Sequence, residues 1–137
     1  MGEHSVLIAV APHSLARIVE HLLHGDSRFR VLERLAADTD LARLARRAVP
    51  DLVVANLRFL GKEHVRVLED LRRLSPAAKV LLLHTYAMPR SLGGAHVHLD
   101  EQAVVRRLLP VLHELAAMRS STPGAQRSAP RPLVDAG

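Results

Sequence analysis

The chain has 137 residues, of which 48% are hydrophobic and 24% charged, a composition that indicates one globular domain. It contains no cysteine and only 2% aromatic residues, which excludes disulfides, thiolate metal sites, cysteine nucleophiles and base-stacking platforms. The net charge is +5, but residues 119–137 hold three arginines against one aspartate and the remaining excess is dispersed, so a nucleic-acid partner is not expected.

Apolar runs of strand length alternate along the chain with amphipathic segments of helical period. The predicted strands are residues 6–10, 29–35, 52–57, 79–84 and 95–99. A predicted helix follows each of the first three strands, with apolar faces across 15–23, 41–48 and 65–74, and a last helix covers 104–115. Continuously apolar strands that alternate with helices predict a parallel sheet covered on both faces.

Several residues mark the predicted ends of these helices. Gly25 stands where the C-cap of the first helix is expected, and Asp38 or Thr39 is expected to cap the second. Pro50 marks the end of that second helix. Pro110 lies inside the last helix, where we expect it either to kink the helix or to mark a late start.

The composition changes after residue 118, because the sequence RSSTPGAQRSAPRPLVDAG is rich in serine, proline, glycine and arginine. We therefore expect a domain at residues 1–118 and a disordered tail at 119–137. No apolar run reaches membrane-spanning length, and the start MGEHSVLIAV lacks the pattern of a signal peptide. A cytoplasmic protein without a membrane partner is expected.

Four stretches of the sequence follow one another in a recognisable order: LLHGDSRFRVLERLAADTDLARLARRAVPDLVV, PDLVVANLRFLG, LSPAAKVLLLHTY and GAHVHL. In this order they resemble the receiver domain of bacterial response regulators. The first is similar to that family's stretch from first helix to third strand, and the second to the third strand and its loop. The third resembles the surroundings of the fourth strand, and the last resembles the fifth strand. The resemblance covers roughly residues 5–117. It implies one doubly wound α/β domain with a five-stranded parallel sheet in the flavodoxin-like order 2-1-3-4-5.

The resemblance also implies a chemistry: transfer of a phosphoryl group to an aspartate beside a magnesium ion held by three carboxylates. The acidic pair after the first strand falls on Ala11 and Pro12, and the acceptor aspartate falls on Asn56. The hydroxyl residue that ends the fourth strand falls on His84, and the lysine after the fifth strand falls on Glu101. We therefore predict a degenerate pseudo-receiver that is not an enzyme and uses no metal or cofactor.

The family's reporting surface also departs from its pattern. The switch aromatic falls on His98, and residues 87–93 are too few for a full fourth helix, which we expect to be shortened or absent. The segment 86–101 and the last helix are the predicted partner surface, through which a homodimer is also plausible. The residues expected on this surface are Tyr86, His96, His98, Leu108 and Leu112.

The polar residues of the site leave alternatives open. Asn56 either binds a ligand or hydrogen-bonds to the loop backbone, and we favour the backbone. His84 and Glu101 form a structural pair, a small-ligand site or an acid–base couple, of which we favour the first. His84, His96 and His98 together offer three nitrogens for a metal, but surface histidines are the favoured interpretation.

The functional prediction is a phosphorylation-independent, stand-alone pseudo-receiver that binds a protein partner in bacterial signalling or transcriptional control. One alternative is a metabolite sensor that uses the former phospho-acceptor pocket, which Ala11 and Pro12 make more apolar. A second is an enzyme that uses His84 and Glu101. A third is a fragment or relic of a transcription factor that lacks its DNA-binding part.

Overall fold

The computed structural model describes residues 3–85 and 96–118. The strands are β1 (His4–Ala9), β2 (Phe29–Arg34), β3 (Leu52–Asn56), β4 (Lys79–His84) and β5 (Val97–Asp100). The helices are α1 (His13–His24), α2 (Leu41–Ala48), α3 (Leu57–Leu60), α4 (His64–Leu74) and α5 (Val104–Ala117), with 3-10 turns at Gly61–Glu63 and Glu101–Ala103. The predicted tail at 119–137 and the predicted loss of a helix at 87–93 lie outside the described residues.

The five strands form one parallel sheet in the order β2-β1-β3-β4-β5, which confirms the predicted fold class and strand order. In the centre of the sheet, Val6 of β1 lies opposite Leu52 of β3, and Asn56 at the end of β3 lies opposite Leu83 of β4. Parallel pairing brings the carboxyl ends of all the strands to one edge. The loops that leave this edge carry the residues singled out from the sequence.

A hydrophobic core covers each face of the sheet, because alternate residues of each buried strand point to opposite faces. Val6 and Ile8 pack with α1 and α5, whereas Leu7 and Ala9 pack with α2 and α4. Each buried leucine or valine contributes about 1.5–3 kcal/mol through removal of its side chain from water. The central strands are therefore fixed from both sides. In the described part of the chain, no helix is long and apolar enough to cross a membrane.

The helix ends follow the sequence signals with two corrections. Gly25 is the C-cap of α1, as predicted. Asp40, and not Asp38 or Thr39, caps α2, because its carboxylate accepts a hydrogen bond from the backbone N–H of Arg43 at 3.3 Å. The alternative of a late start at Pro110 is wrong, because α5 begins at Val104 and continues through the proline.

The sequence prediction missed the short helix α3, which follows β3 directly. It extended the third strand by one residue, to Leu57, whereas the strand ends at Asn56 and Leu57 begins α3. A 3-10 turn then leads into α4, which starts at His64, close to the predicted apolar face. Because α3 begins directly after β3, Asn56 stays at the strand end, where its side chain faces two neighbouring loops.

Candidate functional site

The carboxyl edge of the sheet brings together four of the five residues predicted for the degenerate pocket or its rim. Ala11 follows β1, Asn56 ends β3, His84 ends β4, and Glu101 follows β5. Pro12, the fifth, is exposed and is the N-cap residue of α1. The ends of the parallel strands thus place these four residues at one edge of the sheet.

Asn56 is the centre of this edge and is completely buried, at 0% exposure. Its Oδ1 accepts hydrogen bonds from the backbone N–H groups of Ala11 and Phe59, each at 3.1 Å. Its Nδ2 donates to the backbone carbonyl of Ala11 at 2.6 Å and to Oε2 of Glu101 at 3.0 Å. A side-chain amide has two donor hydrogens and one acceptor oxygen with two lone pairs, so all of its capacity is used. This agrees with the favoured interpretation of Asn56 as a residue that binds loop backbone.

Glu101 reaches Asn56 because of the turn that carries it. Asp100 ends β5, and its carboxylate accepts a hydrogen bond from the backbone N–H of Gln102 at 2.9 Å, which starts the 3-10 turn. The half-buried Glu101 at the beginning of that turn then faces the end of β3. One side-chain amide thus links the loops after β1 and β3 to the turn after β5.

His84 does not pair with Glu101. Its Nδ1 contacts the carbonyl of Thr85 at 2.8 Å, and its ring lies beside that of His98, with the centroids 6.1 Å apart. Burial, and then the neighbouring His84, lower the pKa of His98. In the described part of the chain, no hydrogen bond or ion pair joins His84 to Glu101, so the geometry does not favour an acid–base couple between them.

His96 extends the pairing of β5 with β4. Its backbone N–H donates to the carbonyl of Val80 at 2.9 Å, and its Nδ1 accepts the backbone N–H of Val80 at 3.0 Å. Burial lowers the pKa of His96, with smaller contributions from the charges of Lys79 and Arg72. Across residues 3–85 and 96–118, no three histidine or carboxylate side chains lie close enough together to hold a metal ion. This gives the three-histidine alternative no geometric support.

The predicted partner surface needs a correction on α5. Leu108 and Leu112 are completely buried in the core that α5 forms with α1, because their spacing of four residues places both on the inward side of the helix. They cannot contact a partner without unfolding of that core. Tyr86 lies outside the described residues. His96 and His98, by contrast, keep part of their surface accessible.

A small cavity of about 150 Å³ lies beside the loop after β1, lined in part by Ala11, His13, Leu35 and Phe59. Asn56, His84 and Glu101 do not line it. Typical sites for small molecules have about 300–1,000 Å³. This cavity therefore gives no support to the alternative of a metabolite in the former phospho-acceptor pocket.

Comparison with solved structures identifies the fold. A response regulator from Thermotoga maritima has a TM-score of 0.70 and 22% identity, over 85% of this chain and 99% of that one. A LuxR-family DNA-binding response regulator from Staphylococcus aureus has a TM-score of 0.69 and 18% identity, over 82% and 98%. The response regulator domain of Thermotoga maritima CheB has a TM-score of 0.68 and 11% identity, over 85% and 98%. The chain has the receiver-domain fold. No family model matches the sequence, and no curated protein does.

The magnesium ion that the receiver fold implies does not fit the residues of this edge. Mg²⁺ requires oxygen ligands, usually from one or two carboxylates. Ala11 and Pro12 offer no side-chain oxygen, and Oδ1 of Asn56 already accepts two backbone hydrogen bonds. Glu101 is the single carboxylate of the predicted set, and it accepts from the Asn56 amide. The donor set therefore lacks the charge and the free oxygens that a divalent cation needs.

The sequence reasoning missed two contacts of the site. It expected Glu101 to face His84, whereas Glu101 faces Asn56, because the 3-10 turn after β5 directs it toward the centre of the sheet. It also missed that Asn56 caps α3 through the N–H of Phe59. Asparagine is among the preferred N-cap residues. An asparagine at a strand end, three residues before a buried aromatic, was therefore the available signal.

Proposed function

We propose that the chain is a cytoplasmic, phosphorylation-independent pseudo-receiver, a regulatory module that binds a protein partner in bacterial signalling or transcriptional control. The observation that supports this most directly is the hydrogen bonding of Asn56 to Ala11, Phe59 and Glu101. These hydrogen bonds use the full donor and acceptor capacity of the side-chain amide at the position where the receiver resemblance places the phospho-acceptor. On this proposal the chain is not an enzyme.

Electrostatics support the same proposal. An amide is a poor nucleophile and carries no charge, so Asn56 neither attacks a phosphoryl donor nor attracts a cation. Glu101 lies 3.0 Å from the amide nitrogen, and its carboxylate repels an incoming phosphoryl group. A receiver resemblance implies a lysine at that position, which attracts the group. Both effects disfavour phosphorylation, and together they leave binding as the activity that this fold offers here.

The exposed side of α5 is the surface that we propose for the partner, in place of the buried Leu108 and Leu112. Val105 is 69% exposed, and Arg106, Arg107 and Pro110 are exposed beside it or one turn on. An accessible apolar side chain on the same exposed side of a helix as arginine suits a protein interface, in which arginine is enriched. The same surface suits a second copy of this chain, so we propose a homodimer as one form of the assembly.

The test is incubation of the full chain with acetyl phosphate and Mg²⁺, followed by intact-mass measurement. A phosphorylatable receiver domain in the same tube shows that the reagent works. We expect the mass of this chain to stay unchanged while the control gains one phosphoryl group. A phosphorylated species of this chain would refute the proposal. Sedimentation across a range of concentrations tests the homodimer, and a monomer at the highest concentration would exclude it.

A further inference from the structure

The outer side of α2 carries three arginines on one stripe. Arg43, Arg46 and Arg47 follow the spacing i, i+3, i+4, which places neighbouring side chains on one side of a helix. All three are exposed, whereas the opposite side of the helix is buried in the core. We call Arg43, Arg46 and Arg47 the α2 arginine stripe.

The α2 arginine stripe has no charge partner in the described residues, where the ion pairs of arginine involve Arg30, Arg34 and Arg73. The stripe borders an open groove of about 730 Å³, which also contains Glu33 and Asp40. The Asp40 carboxylate caps the helix through the N–H of Arg43. Among the described residues, Glu33 is the carboxylate of the groove that makes no such bond.

The arrangement of the stripe is not explained by the stability of α2. Arginine in the last turn suits the negative end of the helix dipole, which accounts for Arg46 and Arg47. Arg43 lies in the first turn, where the dipole disfavours a positive charge. It also stands four residues before Arg47, and like charges at that spacing repel. A ligand that neutralises the stripe removes both unfavourable effects.

We propose that the α2 arginine stripe binds an acidic, extended polypeptide segment of a partner protein. Guanidinium groups bind carboxylates through paired hydrogen bonds, which makes arginine suited to this ligand. Arg43 and Arg47 are separated by about 6 Å along the helix axis, at about 1.5 Å per residue. Alternate residues of an extended chain are separated by about 6.6 Å. The spacing therefore matches acidic residues at alternate positions of the segment.

A polypeptide fits this surface better than a nucleic acid does. The helix has eight residues and is about 12 Å long, so the stripe, which is shorter still, covers little of a phosphate backbone. The chain has 2% aromatic residues, which leaves no stacking surface for bases. Glu33 lies in the same groove and repels a continuous run of phosphates. An extended peptide offers the alternation of charged and uncharged positions that this groove accommodates.

The inference rests on the proposed role as a protein-interaction module, and it is tested separately from phosphorylation. The probe is a fluorescein-labelled peptide with five glutamates at alternate positions, and binding to the full chain is followed by fluorescence anisotropy at low salt. The α2 variant is R43Q/R46Q/R47Q. Its matched control is R17Q/R28Q/R58Q, which removes the same charge from exposed positions outside α2 and outside the proposed surface of α5.

We expect the α2 variant to bind the peptide about tenfold more weakly than the natural chain, as three exposed ion pairs together would give. The control variant should change the affinity less than twofold. Equal weakening by both variants would overturn the inference, since bulk charge then explains binding. Tighter binding of a short DNA duplex than of the peptide would also overturn it, as would a dimer of the natural chain that the α2 variant loses. If the natural chain does not bind the peptide and is also not phosphorylated by acetyl phosphate, this inference is rejected and the proposed function still stands.

Discussion

Asn56 offers the sharpest test of how the site is held together. The substitution N56D changes one side-chain nitrogen to oxygen and leaves the size unchanged. The natural Nδ2 donates to the carbonyl of Ala11 at 2.6 Å and to Glu101 at 3.0 Å. In the variant, an oxygen without a proton faces both of these acceptors. The substitution thus removes two hydrogen bonds and places a second carboxylate beside the first.

The magnitude follows from burial. Asn56 is 0% exposed, so water cannot solvate the new charge without a structural change. An uncompensated buried charge costs about 3–5 kcal/mol of unfolding free energy. The two remaining contacts, to the N–H groups of Ala11 and Phe59, offset part of this cost. For a domain of this size we expect the melting temperature to fall by roughly 10–20 °C.

The assay is urea denaturation of four proteins: the natural chain, N56D, N56D/E101K and Q102E. Q102E makes the same change from amide to carboxylate at an exposed neighbouring position, and we expect it to lie within about 0.5 kcal/mol of the natural chain. N56D/E101K places an ammonium beside the new carboxylate and should recover at least half of the loss. A variant N56D as stable as Q102E would refute the reasoning, and so would an absence of recovery in the double variant.

Three further predictions concern stability. Burial lowers the folded-state pKa of His96 below its ordinary 6.5, so its contribution is present above that pH and is lost as pH falls. H96Q keeps an acceptor for the N–H of Val80 and should lose less unfolding free energy between pH 7 and 5; an equal loss would contradict this. The Asp26 pKa is lowered chiefly by the N–H of Arg28, so its contribution is lost below about pH 3.8. D26N should flatten acid denaturation there, measured by circular dichroism, and an unchanged curve would contradict this. Val49 has a left-handed backbone conformation, with φ 49°, and is 65% exposed. Glycine adopts this conformation without steric cost, so V49G should raise the free energy of unfolding by about 1 kcal/mol, measured by thermal denaturation. A lower free energy of unfolding would contradict the argument from backbone strain.

The fold could be predicted from the sequence because its signals are local and strong. The runs at residues 52–56 and 79–84 are apolar throughout, and such runs are typical of strands buried on both faces. The cap of α2 was misplaced because three polar candidates, Asp38, Thr39 and Asp40, precede the helix within three residues. Which of them reaches the free N–H groups depends on the path of the loop, and the loop path is not a local property of the sequence.

The sequence could predict where the residues of the site lie, but it could not predict which of them contact one another. Alignment to the receiver pattern placed Asn56 and Glu101 at one edge, because strand ends in a parallel sheet meet there. It did not give their hydrogen bond, which depends on a 3-10 turn started by Asp100. Leu108 was wrongly assigned to a surface for a similar reason. The packing of α5 against α1 determines which side of the helix is buried, and this packing is not a local property of the sequence.

Asn56 and Glu101 are physically coupled, because one hydrogen bond joins their side chains at the edge of the sheet. The resemblance implies an aspartate at position 56, which only accepts hydrogen bonds when ionised, and a lysine at position 101, which only donates them. Here position 56 donates, through its amide nitrogen, and Glu101 accepts at 3.0 Å. An aspartate at position 56 would place two acceptors opposite each other, and a lysine at position 101 would place two donors opposite each other. Either arrangement is costly at a buried edge. The pair therefore keeps β3 joined to the turn after β5, with the donor at position 56 and the acceptor at position 101.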